Sequence, residues 1–209
     1  MKAGFDSIAW CYDFLSVLVF GKRIRQSQIV LLRQIKENDS VLIIGGGTGW
    51  IINEILKVSS PVQIDYIESS VEMLMKARTA VVGNDTVQIN FILGDENSIG
   101  QNEKYDIVIA FYFFDMFKEE RLNTIVDSMN KALKQGGYLL YADFNINSTS
   151  PWFHKVLLKI MYLFFHYICA VEAQSLTVMN RILTKYSLVC QNSISTSNGF
   201  IVSEVYQKQ

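Results

Sequence analysis

Three alternating glycines follow an apolar run in the segment SVLIIGGGTGW, residues 40–50. Residues 41–44 are few and rich in β-branched side chains, which predicts a buried parallel strand, and a helical pattern begins directly after the glycines. Gly45, Gly47 and Gly49 are therefore expected at the carboxyl end of a strand, where open α/β sheets bind nucleotides. Because glycine has no Cβ and allows positive φ angles, these residues can bring bare backbone against a ligand.

The spacing of the glycines discriminates between nucleotide ligands. A dinucleotide site is typically G-x-G-x-x-G, and its third glycine lets a helix begin close to a pyrophosphate. Trp50 occupies that third position here, and its bulk disfavours a pyrophosphate. A second predicted strand, residues 62–67, ends at Glu68. A carboxylate at this position can accept hydrogen bonds from both hydroxyls of a ribose.

The apolar pattern along the rest of the sequence predicts the strands and helices that position these residues. Strands alternate with helices as far as residue 144, which is typical of a doubly wound, mostly parallel sheet in an α/β fold. Residues 195–199, between the last two strands, are too few for a parallel crossover and predict a C-terminal antiparallel hairpin. Seven strands are predicted near 40–44, 62–68, 87–93, 105–112, 136–144, 186–193 and 199–206. Helices are predicted near 23–36, 49–57, 70–82, 118–134, 152–169 and 173–184.

Composition predicts one domain that spans residues 1–209. The chain is 50% hydrophobic, which at this length allows a large core, and its net charge of −1 excludes the basic footprint of a nucleic-acid-binding protein. Three scattered cysteines and two histidines lack the spacing of metal ligands, so no metal site is expected. No signal peptide or membrane-spanning segment is predicted, and a cytoplasmic location is expected.

Six sequence blocks together resemble the class I S-adenosylmethionine (SAM)-dependent methyltransferases. IIGGGTG at residues 43–49 is similar to the family's glycine motif, and Glu68 to the acidic residue that ends its second strand. The other blocks follow in family order: ESSVEMLMKAR at 68–78, GDENSI at 94–99, YDIVIAFYFFDMF at 105–117 and LKQGGYLLYADF at 133–144. The resemblance covers roughly half of the chain. It implies a Rossmann-like fold with a seven-stranded sheet, SAM as the cofactor, and methyl transfer as the activity.

The resemblance also implies where the cofactor binds. The glycine loop and Glu68, followed by Ser69, would hold the ribose side of SAM. Asp95 would accept a hydrogen bond from the adenine amino group, and its neighbours Glu96 and Asn97 could share that role. Asp95 could equally be a turn residue, since Gly-Asp is typical of turns.

The end of the fourth strand is the predicted reaction centre. Methyl transfer needs alignment of the acceptor with the methyl group, and a base only where the acceptor loses a proton. In the resembling fold, the strand end at residues 111–115 lies beside the reacting methyl group, and Phe111 is expected to contact the cofactor. Tyr112 and Asp115 are the candidates for orienting the acceptor or taking its proton. The alternative is that Phe111 and Phe113 belong to the core and that Tyr112 is a half-buried packing residue.

Two further segments concern the acceptor side. Residues 1–25 are similar to the N-terminal segment of the ubiquinone and menaquinone biosynthesis C-methyltransferases, which implies a cap that places Tyr12 over the cofactor. Residues 151–170 are predicted as a helical insert in which Lys155, Lys159 and His166 form one narrow polar stripe. The wide apolar face favours a pocket wall or lid over a membrane-surface helix. It also favours a lipid-, quinone- or aromatic-like acceptor.

Two other functions remain open on the sequence alone. The first is a non-catalytic module that binds SAM or scaffolds a partner, and the second is a nucleotide-sugar or dinucleotide enzyme. A small-molecule substrate is the expected partner, without nucleic acid, and the sequence does not determine the oligomeric state.

Overall fold

The computed structural model describes residues 22–61, 63–81, 87–100, 102–145, 179–197 and 199–209. Most of the predicted cap of residues 1–25, including Tyr12, and the whole predicted insert of residues 151–170 lie outside the described residues. None of the helices in the described segments is long and apolar enough to cross a membrane.

Seven strands form one sheet in the order β3-β2-β1-β4-β5-β7-β6. The first five are mutually parallel, and β7 pairs antiparallel with both β5 and β6. The doubly wound α/β fold with a C-terminal hairpin is therefore confirmed. The strands are β1 Ser40–Ile44, β2 Gln63–Glu68, β3 Gln88–Leu93, β4 Tyr105–Phe111, β5 Leu133–Phe144, β6 Leu188–Thr196 and β7 Ile201–Lys208.

Helices cover both faces of the sheet. They are α1 Lys22–Ile29, α2 Trp50–Val58, α3 Val71–Ala80, α4 Glu119–Ala132 and α5 Met179–Lys185, with 3₁₀ turns at Leu32–Gln34, Glu96–Ser98 and Phe114–Met116. The prediction of one helix over 23–36 is wrong, because α1 ends at Ile29 and the chain continues through a 3₁₀ turn. That turn buries Leu32 completely and leaves Ile35 only 5% exposed.

The alternation of side chains along β1 explains the two-sided core. Val41 and Ile43 belong to the apolar cluster packed by α2 and α3, whereas Leu42 and Ile44 belong to the cluster packed by α4 and α5. All four side chains are at most 2% exposed. A strand that is buried on both faces reads as a continuous apolar run, as residues 41–44 do.

The start of β5 differs from its prediction near residue 136. Tyr105 pairs with Leu133, but the next pair along the strands is Ile107 with Tyr138, so the intervening residues of β5 are not in regular register. Gly136, with a φ of 75°, lies in this irregular segment. This irregular segment lies at the beginning of β5, at the end of the sheet opposite the carboxyl ends of the parallel strands.

Candidate functional site

The glycine loop lies where the order of the sheet reverses. β1 lies between β2 and β4, and in open α/β sheets this switch point opens a crevice at the carboxyl ends of the strands. Gly45 continues from β1 with its backbone N–H donating to the Ile67 carbonyl of β2 at 2.9 Å. Gly45, Gly47 and Gly49 have φ angles of 63°, 65° and 79°, as the spacing predicts.

Gly47 is the glycine that faces open space. A Cβ added at this position would have only the Met73 sulfur within 4 Å, at 3.9 Å. The loop therefore leaves a backbone cradle that a side chain would fill, which is the feature expected of a site for a bound nucleoside. This observation fits the cofactor SAM that the sequence motifs imply.

The neighbouring glycines are fixed by packing within the protein. A Cβ on Gly45 would lie 2.6 Å from the Phe113 ring, and one on Gly49 would lie 2.6 Å from the Ala77 Cβ of α3. Gly49 also caps α2 at its N-terminus. Phe113 therefore lies against the glycine loop.

Glu68 holds the loop from the end of β2. Its Oε2 accepts the Gly47 N–H at 2.9 Å, and its Oε1 accepts the Ser70 N–H at 2.8 Å. The exposed Ser69 hydroxyl lies 3.5 Å from Oε1. Burial raises the pKa of the Glu68 carboxyl, while the hydrogen bonds from Ser70, Gly47 and Ser69 oppose that rise. Since each carboxylate oxygen has two acceptor sites, Glu68 can bind the loop and still accept from a ribose.

Tyr66 is a site residue that the sequence analysis missed. Its side chain is fully buried, and its hydroxyl donates to the Gly47 carbonyl oxygen at 2.8 Å. A Cβ on Gly46 would collide with the same phenol ring. The only sequence signal was an aromatic residue in an apolar strand, which indicates core packing and not a hydrogen bond to a loop.

The predicted adenine turn lies beside Glu68, as the Gly94 N–H donates to the Glu68 backbone carbonyl at 3.0 Å. Asp95 caps the following 3₁₀ turn, with its Oδ1 accepting the Asn97 backbone and side-chain N–H groups, each at 3.1 Å. This is the turn role that the sequence left open. Glu96 points elsewhere: its Oε1 accepts the Arg121 Nε–H at 2.6 Å, and the residue is only 8% exposed.

At the end of β4, Phe111 and Tyr112 belong to the same apolar cluster, whereas Phe113 packs in the cluster on the other face of the sheet. Phe111 is half-buried against the cluster that α2 and α3 cover. Tyr112 is buried, with a φ of 51° that is unusual for a residue with a Cβ, and its hydroxyl lies 2.9 Å from the Ser27 Oγ of α1. The Ser27 hydroxyl proton goes to the Ile24 carbonyl, so Tyr112 is the donor of this pair. Burial raises the pKa of the Tyr112 phenol, and the charges of Asp143 and Asp115 raise it further.

Asp115 lies in the 3₁₀ turn that follows β4, close to a second carboxyl on β5. Burial raises the pKa of Asp115 to about 7. Burial also raises the pKa of Asp143 well above its ordinary value, and the charge of Asp115 adds to that rise. Asp143 is fully buried, and no signal in the sequence marked it, because it falls within an apolar strand.

The comparisons with known proteins agree with this geometry. A family model described as a methyltransferase domain matches residues 41–137. Malonyl-(acyl-carrier protein) O-methyltransferase of Halalkalibacterium halodurans is 31% identical over 112 residues, which cover 52% of this chain and 40% of that protein. Carboxy-S-adenosyl-L-methionine synthase of Desulfotalea psychrophila is 30% identical over 135 residues, which cover 63% of this chain and 55% of that protein.

Solved structures show the same fold at low sequence identity. A chain from the complex of the Haloferax volcanii Trm112 methyltransferase activator with a methyltransferase superimposes with a TM-score of 0.72 and 13% identity. The alignment covers 98% of this chain and 97% of that one. The solved structure shows the same fold, and the sequence comparisons show that the chain is similar to methyltransferases, the class that the sequence motifs predict. The chain spans only 40% and 55% of the two curated relatives.

Proposed function

We propose that this chain transfers the methyl group of SAM to a small, fairly hydrophobic acceptor that is lipid-, quinone- or aromatic-like. The observation that carries the proposal is the position of Gly47. Its N–H and carbonyl are held by Glu68 and Tyr66, while the space above its Cα is open. A nucleoside can therefore approach the backbone next to a carboxylate without any rearrangement of the loop.

Each part of the site has a separate task under this proposal. SAM supplies a methyl group on a sulfonium, which transfers while the bonding electrons stay on sulfur. Glu68 accepts hydrogen bonds from the ribose, and the glycine loop allows close approach of the cofactor. Asp95, Ser69 and Phe111 are proposed to contact the cofactor, and Asp115 is proposed to meet the acceptor. Tyr112 supports the shape of the β4 end through its bond to α1.

Titration calorimetry with S-adenosylhomocysteine tests the cofactor site. Gly47→Val is expected to abolish binding, because its side chain would occupy the open cradle. Glu68→Ala is expected to weaken binding by about 1–3 kcal/mol through lost charged hydrogen bonds. Gly136→Val is the matched control, since Gly136 also has a positive φ and a Cβ there would also meet its nearest neighbour at 3.9 Å. Unchanged affinity in a folded Gly47→Val protein would remove the proposal.

Turnover separates an enzyme from a module that only binds SAM. Wild-type protein is incubated with SAM and a panel of lipid, quinol and phenol acceptors, and transfer of a labelled methyl group is measured. S-adenosylhomocysteine binding without transfer to any acceptor would favour the binding module.

The acceptor side is proposed from residues 151–170. Their apolar face would line the acceptor pocket, and their lysines would not attach the protein to a membrane. Flotation with anionic liposomes, for the wild type and for Lys155→Glu/Lys159→Glu, tests this choice. Flotation that depends on the lysines would overturn the pocket proposal.

A further inference from the structure

Two aspartates lie near the carboxyl ends of the adjacent parallel strands β4 and β5, Asp115 in the 3₁₀ turn after β4 and Asp143 within β5. Tyr112 at the end of β4 donates its N–H to the Ala142 carbonyl of β5 at 2.7 Å, which places Asp143 beside the turn that carries Asp115. The Phe113 ring, two positions before Asp115, lies against Gly45 of the glycine loop. The carboxyl pair is thus one strand away from the loop, on the side of the switch point opposite Glu68.

Neither carboxyl has a cationic partner in the described part of the chain. Asp143 is 0% exposed, and its Oδ1 accepts the Phe144 N–H at 2.8 Å. Asp143 Oδ2 and Asp115 Oδ1 are buried and accept no hydrogen bond from the described residues. Among the described titratable side chains, the charges of the pair act on Tyr112, which follows β4, and on Tyr141 of β5. Glu204 and Tyr206 of β7 also act on Tyr141. None of these groups supplies a positive charge.

Two ionised carboxylates without a cation are unfavourable in such a site. The energy of two like charges grows as the local dielectric constant falls, so close carboxyls commonly retain a single proton between them. Asp143 Oδ2 and Asp115 Oδ1 are the atoms left to hold that proton. The pair would then carry one negative charge, placed beside a crevice that is proposed to receive a cationic cofactor.

We propose that Asp115 and Asp143 act as one proton-sharing pair, which receives the proton that the acceptor loses during methyl transfer. This inference rests on the proposed methyltransferase function. It assigns to the chain an acceptor with a removable proton on oxygen, nitrogen or an acidic carbon. It excludes acceptors such as tertiary amines and thioethers, which would become permanent cations.

The proposed step balances in atoms and charge. The acceptor's bond to hydrogen would break, and its electron pair would form the new bond to the methyl carbon. The bond from that carbon to sulfur would break with its electron pair left on sulfur. The proton moves to the ionised carboxyl of the pair, which changes from one negative charge to none. The positive charge that the sulfonium brings is lost in the same step, so no net charge is left buried.

The test requires no acceptor. Calorimetry in buffers of different ionisation enthalpy gives the number of protons released when SAM or S-adenosylhomocysteine binds. Near pH 7, cationic SAM is expected to expel part of the shared proton, because a positive charge lowers the pKa of nearby carboxyls. Neutral S-adenosylhomocysteine is expected to release less. Asp143→Asn and Asp115→Asn should both abolish this difference between the two ligands while retaining S-adenosylhomocysteine binding.

The control variant is Asp106→Asn, which removes a carboxylate at the opposite end of β4, where it pairs with Lys134 on the surface. It should preserve the difference in proton release. Equal proton release by both ligands in the wild type would overturn the proton-sharing pair while leaving the cofactor site intact. Absence of S-adenosylhomocysteine binding in the wild type would instead remove the proposed function itself.

Discussion

The Tyr66 hydroxyl donates a hydrogen bond to the Gly47 carbonyl oxygen across 2.8 Å, from the strand that ends at Glu68. Glu68 accepts the N–H of the same glycine at 2.9 Å. The backbone N–H and the carbonyl oxygen of Gly47 are thus both held by side chains of β2. A loop that is held in this way loses little conformational freedom on binding, which favours affinity.

Tyr66→Phe is expected to weaken S-adenosylhomocysteine binding by about 0.5–1.5 kcal/mol, because the loop loses the hydrogen bond that fixes the Gly47 carbonyl. Titration calorimetry measures the change. Tyr105→Phe is the matched control, since that buried tyrosine donates to Asp65 and does not contact the loop. The control should lower the free energy of unfolding and leave the affinity unchanged. If the two variants lowered affinity equally, Tyr66 would be acting on general stability.

The glycine loop was predictable because its signal is local. Gly45, Gly47 and Gly49 adopt the positive φ angles that their spacing predicts, and Glu68 ends its strand where the pattern places it. Tyr66 was not predictable. Its contact with Gly47 depends on how β2 lies against the loop, and a tyrosine in an apolar strand indicates packing alone.

Asp95→Asn separates the two roles of Asp95. An asparagine Oδ1 can still accept from Asn97 and cap the 3₁₀ turn, but its NH₂ group cannot accept from an adenine amino group. We expect the melting temperature to stay close to that of the wild type and S-adenosylhomocysteine affinity to fall about 5- to 10-fold, as for one lost hydrogen bond of about 1–1.5 kcal/mol. Unchanged affinity, measured by calorimetry, would leave Asp95 as a turn residue only.

Glu96 is expected to act through Arg121. The pair connects the turn after β3 to α4, where the Arg121 guanidinium lies 4.7 Å from the centre of the Phe117 ring. Glu96→Gln and Arg121→Gln should each lower the affinity for S-adenosylhomocysteine by a similar factor. The double variant should have about the same affinity as the single variant that binds less tightly. The exposed pair of Glu119 on α4 and Arg181 on α5 provides control substitutions without effect.

A loss of affinity in Glu96→Gln alone would contradict this expectation. It would show that the Glu96 carboxylate contacts the cofactor directly, as the family resemblance implies.

The end of β4 was predicted only in part. The sequence locates Tyr112 and Asp115 near the site, but the hydrogen bond of Tyr112 joins it to Ser27, 85 positions earlier in the chain. The partner of Asp115 is likewise on another strand. Contacts between distant segments leave no periodic pattern in a single sequence, so neither the role of Ser27 nor the carboxyl pair could be read from it.

The ionised carboxylate of Asp65 is expected to stabilise the fold near neutral pH, and this stabilisation is expected to be lost at acidic pH. Burial raises its pKa, but hydrogen bonds from Lys104, Tyr105, Asn90 and Gln63 outweigh burial and lower the pKa to about 2. A carboxyl that ionises more readily when folded adds stability above its unfolded pKa and loses it as the pH falls towards the folded value. Asp65→Asn should therefore cost about 1–3 kcal/mol near pH 7 and progressively less below about pH 4. Urea unfolding across this range measures the difference.

Asp143 is expected to show the opposite dependence on pH. Burial and the charge of Asp115 raise its pKa well above the unfolded value of 3.8, so the folded protein retains a proton that the unfolded chain has released. Stability from this group is complete at low pH and falls as the pH rises between the unfolded and the folded pKa. An asparagine cannot ionise and can still accept the Phe144 N–H.

Asp143→Asn should consequently unfold at nearly the same urea concentration as the wild type near pH 4 and at a higher concentration near pH 8, with a gain of about 1–3 kcal/mol. The gain should grow across the part of this range in which the folded protein keeps the shared proton that the unfolded chain has released. Asp106→Asn, on the surface end of β4, should show no such growth. A constant difference between Asp143→Asn and the wild type at all pH values would mean that Asp143 keeps its ordinary ionisation in the fold and that no proton is shared with Asp115.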